Sequence, residues 1–399
     1  MFLDTVLARN PELVDAAAAL HREGAIPPDT YVIDRDAVEA NAALLAAEAE
    51  RLGLTLWFVV KQLGRNPELI RAVARRLPKF AAIDAPEARA LHAAGARAGN
   101  LGHLVQIPRR ALPELLARRP EAVTVFDAAN ARAVSEAARR LGLVQDVMLR
   151  LAGAPGSVHP GQEGGVPPAE LTAFAAEAEA LPGIRIAGVT GFPCVECDPV
   201  TGVPRPTETF ALLREAREVL ARRGHTGLKL SAPGATSMAT LPLLAELGAT
   251  HGEPGHALTG TTPLHARDPH QPERPGYVYV TEVSHTLADG RPALHGGGFY
   301  ARAEIKDALL HRTGLRLPVQ DAPAENIDYY RLLAAPAAGE DEVRAGDTAV
   351  LAFRTQIFVT RSNVAVVSGL SRGVPELTGL YDPLGRPLRE PSAKEAVTP

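Results

Sequence analysis

From about residue 30 to residue 270, short apolar runs alternate with longer stretches whose apolar positions recur at helical spacing. YVIDR (31–35) reads as a strand, and DAVEANAALLAAEAERLG reads as a helix stopped by glycine. TLWFVVK, FAAID, NLGHLVQIP, TVFDA, DVMLRLA, IRIAGVTGF and LKLSA repeat the strand pattern, and amphipathic segments separate them. Strands alternating with helices specify βαβ units and a parallel sheet. Counting from YVIDR to GATHGEP gives about eight units, the number that a (β/α)8 TIM-type barrel needs. The expectation is an α/β barrel over 30–270, with a doubly wound sheet as the competing arrangement. After residue 275 the texture changes. GYVYVTEVSHTLADGRPALHGGGFYAR and DTAVLAFRTQIFVTRSNVAVVSG read as strands joined by turns, which predicts a mostly β C-terminal domain over 275–390. TTPLHARDPHQPERPG (261–276) is the expected connection, residues 1–29 are expected to pack on the β domain, and EPSAKEAVTP reads as a loose tail.

Composition narrows the function classes. The 399 residues carry a net charge of −4, which argues against a nucleic-acid binder with its basic excess. No apolar run approaches the roughly 20 residues that span a bilayer. The start, MFLDTVLARNPELVD, lacks the apolar core of a signal peptide. Two cysteines make no disulfide framework, so the cytoplasm is the expected compartment.

In a (β/α)8 barrel the catalytic groups stand at the C-terminal ends of the strands. Lys61 follows LWFVV at such an end; so do Arg150 after DVML, Phe192 and Cys194 after IAGVT, Ser231 after LKL, and Glu253 after ATHG. A lysine emerging from an apolar strand is partly desolvated, which lowers its pKa and makes its amine a nucleophile for an aldehyde. A loop lysine with no chemistry is the plain alternative. SAPGATS (231–237) offers backbone N–H groups and hydroxyls ahead of the helix TLPLLAEL, a pattern that suits an anion. EPGHALTG (253–260) places a Pro-Gly turn behind an acid. An aldehyde for the lysine, a phosphate for the loops and a ring nitrogen for the carboxylate together describe pyridoxal phosphate.

FVVKQLGRNP, IDAPEARALHAAGA, LKLSAPGAT and GEPGHALTG resemble, in order and approximate spacing, the fold-type III pyridoxal phosphate enzymes. These are the alanine racemase and ornithine/diaminopimelate decarboxylase superfamily, and the nearest resemblance is to its YhfX-like branch. The likeness covers essentially the whole chain, because those families also append a β domain. It implies that Lys61 is the Schiff-base lysine and that Glu253 faces the pyridine nitrogen, as the glutamate of the decarboxylases' EPG motif does. Alanine racemases carry an arginine there. It also implies that Ser231, Gly234, Ala235, Thr236, Gly255 and His256 hold the phosphate and that Arg150 lies near the cofactor. Phe192 falls where the decarboxylases stack a histidine.

The β domain departs from both patterns. ENIDYY (325–330) lies where decarboxylases reach across a dimer with a cysteine-containing segment, but it has no cysteine. Asn326, Asp328 and Tyr329 are therefore substrate or cross-dimer candidates. HGGGFYAR lies near the racemase's tyrosine segment with glycine opposite the catalytic tyrosine, leaving Tyr300 as the candidate. Arg354, Thr355, Gln356 and Arg361 are candidates for the substrate carboxylate or the cofactor. Cys194 is a candidate thiol acid over the cofactor; with Cys197 it makes half of a zinc site, too little for a metal centre. His285 and His295 stand as a base or metal pair, or as plain strand histidines.

The resemblance implies an amino-acid racemase or epimerase acting through a Schiff base at Lys61 and a Cα carbanion. Tyr300, Cys194 or an ENIDYY residue would serve the second face. The alternatives are an amino-acid decarboxylase, a D-amino-acid aldolase or other lyase, and a non-catalytic carrier of the cofactor. A homodimer is expected, with a small amino acid as substrate.

Overall fold

The structure is a computed structural model that describes residues 2–153, 156, 158–198, 201–302, 304–322, 325, 327–340 and 342–389. Asn326 lies outside the described residues. The chain forms two compact units, one of Ala42–Val59 with Val73–Ala257, the other of Met1–Asn41, Val60–Ala72 and Leu258–Pro399.

The first unit holds eight parallel strands in the order Thr55–Leu56, His251–Gly252, Lys229–Ser231, Ile184–Thr190, Gln145–Arg150, Ala122–Val125, Arg97–Leu101 and Lys79–Ala82. The edges meet where the Phe58 N–H donates to the Lys79 carbonyl and the Ala81 N–H donates to the Phe58 carbonyl, each at 3.0 Å. This is a nearly closed α/β barrel. Side chains fill its interior, where Trp57, Val59, Ala81, Ala122 and Met148 form one buried cluster. The indole lies so close to the neighbouring strand that a β-carbon on Gly99 would stand 2.1 Å from Trp57 Cδ1. Gly99 is thus required by the tryptophan. The helices outside start where the sequence signals them: Asp84 caps Ala85–Ala93 by accepting from the Glu87 N–H, and Asp127 caps Ala128–Arg140 by accepting from Asn130.

One expectation is corrected. Tyr31–Arg35 does not open the barrel. The strand Thr30–Asp34 runs antiparallel to Tyr277–Thr286 and parallel to Asn363–Ser368, in the other unit's sheet. All five of its residues are buried, as they are in any strand covered on both faces, so its pattern suits either sheet. The eight barrel strands begin with Thr55–Leu56 instead.

The second unit is built on a ten-stranded sheet. Its main path runs Leu315–Pro318, Asp307–Leu310, Thr348–Leu351, Tyr277–Thr286, Thr30–Asp34, Asn363–Ser368, Glu376–Tyr381 and Pro387–Arg389. Pro292–His295 pairs the outer half of Tyr277–Thr286, and Tyr330–Leu332 pairs Pro292–His295. The helices Phe2–Arg9 and Pro11–Arg22 bury Phe2, Val6, Leu13 and Val14 in one core with Val278, Val280, Ala365 and Val367. No described helix is long and apolar enough to cross a membrane.

Candidate active site

In the barrel unit the C-terminal strand ends converge on Glu253, which follows the last strand and is buried. The Ser231 hydroxyl donates to its Oε1 at 3.2 Å, and its own N–H donates to Thr236 Oγ1 at 3.1 Å. The turn carrying Thr236 can exist only with small residues. Gly234 has φ +128°, and a β-carbon there would stand 2.9 Å from the Val195 carbonyl. Ala235 takes the left-handed conformation at φ +49°. Thr240 Oγ1 ties the turn down by donating to the Ala235 carbonyl at 2.9 Å. The helix that follows is Leu241–Glu246, and the Ser237–Thr240 turn separates it from the glycine loop.

Ser231 was expected at a phosphate, yet its hydroxyl proton is directed to Glu253. Arg150 is fully buried, and its guanidinium is used on backbone. Nε donates to the Gly164 carbonyl at 2.9 Å, Nη2 to Gln162 at 3.0 Å and Nη1 to His103 at 3.4 Å, over the Phe126 ring. Burial lowers its pKa, and the nearby Cys194 and Glu253 oppose that shift. Phe192 is half-buried between His103, edge-on at 5.9 Å, and His159 at 5.8 Å. Cys194 is buried with its thiol toward the Gly191 carbonyl. Burial pushes that thiol far up and the Glu253 charge adds to it, so the group stays protonated. Pro254 separates Glu253 from Gly255 and His256, and His256 opens a short 3-10 turn to Thr259.

His103 is the residue that the sequence reading missed. Its Nδ1 stands 3.7 Å from Glu253 Oε2, both side chains being buried. NLGHLVQIP reads as one strand, whereas the strand ends at Leu101 and Gly102 turns the chain at φ +79°. The glycine was the available signal.

Lys61 belongs to the other compact unit, two residues after Val59, whose N–H donates to the Pro254 carbonyl. It is half-buried and opens the 3-10 turn Lys61–Leu63, closed by Gly64 at φ +60°. A β-carbon on Gly64 would meet Ile357 Cγ2 at 3.0 Å. In the same unit, Tyr300 is 43% exposed and its carbonyl accepts from Thr355 Oγ1 at 2.7 Å. Asp328, proposed from sequence for substrate, accepts at Oδ2 from the Gly297 and Phe299 N–H groups at 3.1 and 3.2 Å. Tyr329 is exposed under the Arg361 guanidinium, which donates to the Asp328 carbonyl. The Arg354 carbonyl accepts from Arg302, and Gln356 precedes the turn Ile357–Val359. His285 lies edge-on to Tyr330 at 5.3 Å, while His295 Nε2 is 3.8 Å from Glu282. Among the described residues no group of three or more His, Cys, Asp or Glu is arranged to hold a metal.

A buried carboxylate beside a glycine-bearing turn at neighbouring strand ends fits a group that joins a basic ring nitrogen to a phosphate. The donor chemistry therefore suits pyridoxal phosphate. Comparison with known proteins gives the class. Residues 33–263 match the model of the alanine racemase N-terminal domain, and residues 278–377 match the YhfX-like C-terminal domain. The chain belongs to the alanine racemase-like family of fold-type III pyridoxal phosphate proteins. It is 40% identical over 393 residues to the protein YhfX of Escherichia coli (strain K12), covering 97% of this chain and 100% of that one. Its fold is similar to that of alanine racemase of Clostridium difficile 630 in complex with cycloserine, with TM-score 0.63 and 15% identity over 90% of this chain and 99% of that chain. D-threonine aldolase of Filomicrobium marinum is similar to the same degree, with TM-score 0.64 and 18% identity over 90% and 95%.

Proposed function

We propose that this protein is a pyridoxal phosphate-dependent amino-acid racemase or epimerase. The observation that carries the reading is Glu253, a buried carboxylate fixed by Ser231 and by the Thr236 turn at the barrel's strand ends. Bound, the cofactor supplies an aldehyde for an amine and a ring that withdraws electrons from Cα. Lys61 is the amine that holds it covalently and moves the Cα proton on one face. Glu253 keeps a proton on the ring nitrogen, since an opposite charge within about 4–6 Å favours the protonated form. Thr236, with the backbone of Gly234, Ala235, Gly255 and His256, serves the phosphate. Arg150 holds loops around the site rather than the cofactor, and Phe192 offers a flat apolar face. Tyr300, whose ring is exposed, is the proton carrier for the second face; Cys194 is the alternative. An isologous homodimer in the cytoplasm belongs to this reading, because a partner's β domain would complete two sites at once.

A decarboxylase or lyase is the second reading. It is favoured by a glutamate where the resemblance gives racemases an arginine, and by the likeness to D-threonine aldolase.

Holo-protein treated with borohydride is expected to carry the cofactor on the Lys61 peptide. Incubated with L- and D-amino acids in D₂O, it should invert a substrate and label it at Cα, and Glu253→Gln should suppress both. Carbon dioxide or aldehyde release without inversion would transfer the case to the second reading. A reducible cofactor bond in Lys61→Ala would sink the assignment.

A further inference from the structure

We infer that His103 is a positioning residue for Glu253, holding the carboxylate that, on the reading above, faces the ring nitrogen of the cofactor. A carboxylate has two oxygens, and fixing its plane takes a partner at each. Ser231 fixes Oε1 from one neighbouring strand end. Oε2 faces His103 Nδ1 at 3.7 Å, from a strand end on the far side of the barrel sheet. The pair is 6% and 2% exposed, so the contact lies in a weakly screened interior. The separation is longer than a hydrogen bond, and an approach of about 1 Å makes it one.

His103 is itself held in place. Its ring stands perpendicular to Phe192 at 5.9 Å. Its carbonyl accepts from Arg150, and the preceding Gly102 donates to the Ala82 carbonyl at 3.1 Å while turning the chain at φ +79°. A histidine serving only as core filler would need none of this orientation toward a carboxylate oxygen. Held so, the imidazole fixes the plane of Glu253.

The test is titration of apo-protein with pyridoxal phosphate, read by the bound cofactor's absorption band and its dissociation constant. His103→Ala is expected to weaken binding about tenfold, equivalent to about 1.4 kcal/mol, and to move the band in the same direction as Glu253→Gln. His103→Asn, which keeps a polar side chain at the site, should recover most of both. His103→Ala added to Glu253→Gln should change little further. Should His103→Ala fail to fold, His103→Phe keeps the ring against Phe192, removes the nitrogen and reads the same effect. Wild-type binding and band in the His103 variants, with both altered in Glu253→Gln, would overturn this inference and leave the Glu253 reading intact. Wild-type behaviour of Glu253→Gln would instead remove the reading on which the inference rests.

Discussion

Asp29 Oδ2 stands 1.9 Å from the point where a β-carbon on Gly297 would be placed. The carboxyl cannot give way cheaply, because Tyr279 donates to its Oδ1 at 2.8 Å and Ser362 donates to the same oxygen. Gly297 also has φ +134°, a conformation hard for any other residue. Gly297, one of the three glycines of HGGGFYAR, therefore has room for no side chain. Gly297→Ala is expected to destabilise the β-rich unit by more than about 2 kcal/mol, measured as a drop in the urea midpoint. A neutral effect would show that Asp29 is not held as described.

The same aspartate makes stability depend on pH. Burial is the main cause that pushes Asp29 up to about 6; Ser362 and Tyr279 oppose it, and Asp328 adds to it. The folded state therefore holds the proton more tightly than the unfolded chain, so stability from this group is present at low pH and is lost as pH rises from about 4 through 6. Asp29→Asn should flatten that decline and stabilise the protein at pH 8 by on the order of 2 kcal/mol. Identical stability profiles for variant and parent between pH 4 and 8 would refute it.

At the opposite end of the barrel strands, Glu121 gives the reverse sign. Burial raises its pKa, but His251 and Lys79, 2.7 Å away, bring it down to about 2. Lys229 adds its charge at 3.7 Å. A depressed carboxyl contributes stability above its unfolded pKa and loses it as pH falls toward 2. Solvent screens this half-buried group, so Glu121→Gln should cost only on the order of 1 kcal/mol at pH 7 and less at pH 2.5. Acid melting curves that stay parallel at both pH values would contradict this.

How much of this was legible in the sequence follows from range. Ser231 and Glu253 could be placed because each directly follows or closes a short strand segment, and strand ends of a barrel share one face. The glycine turn at Gly234 was legible for the same local reason. Thr30–Asp34 was misplaced because a strand buried on both faces carries no mark of its neighbours, and these lie at Val278 and Val364. His103 was missed because its partner Glu253 is 150 positions away and neither residue advertises the other. Arg150 was assigned to the cofactor, since sequence gives its place on the strand but not the direction of its guanidinium.

The two cysteines should separate by chemistry. Cys194 is fully buried, and its thiol pKa is pushed up chiefly by burial; Cys197 lies half-buried on the short strand Val195–Cys197. Since the thiolate is the reactive form, iodoacetamide should label Cys197 at least about tenfold faster in the folded protein. Equal rates before unfolding would mean that Cys194 is reached by solvent.

Arg150 connects two strand-end loops, and that role can be tested apart from activity. Its guanidinium reaches the Gly164 and Gln162 carbonyls beyond one strand and the His103 carbonyl beyond another. A planar fork with five donors can serve three carbonyls at once; a lysine ammonium on a shorter reach cannot. Arg150→Lys keeps the buried charge while breaking at least one tie, so residues 158–166 and 102–106 should open more readily. Amide exchange in those peptides is expected to quicken by about tenfold, matching the loss of one charge-assisted hydrogen bond. The helix Leu171–Glu179 should exchange at its parent rate, which separates loosening of the loops from general destabilisation. If His103 positions Glu253, the same variant should also weaken binding of pyridoxal phosphate, because the carbonyl that anchors His103 has lost its donor. Unchanged exchange in both loops would show that Arg150 does not hold them, and the anchoring of His103 would have to come from Gly102 and Phe192 alone.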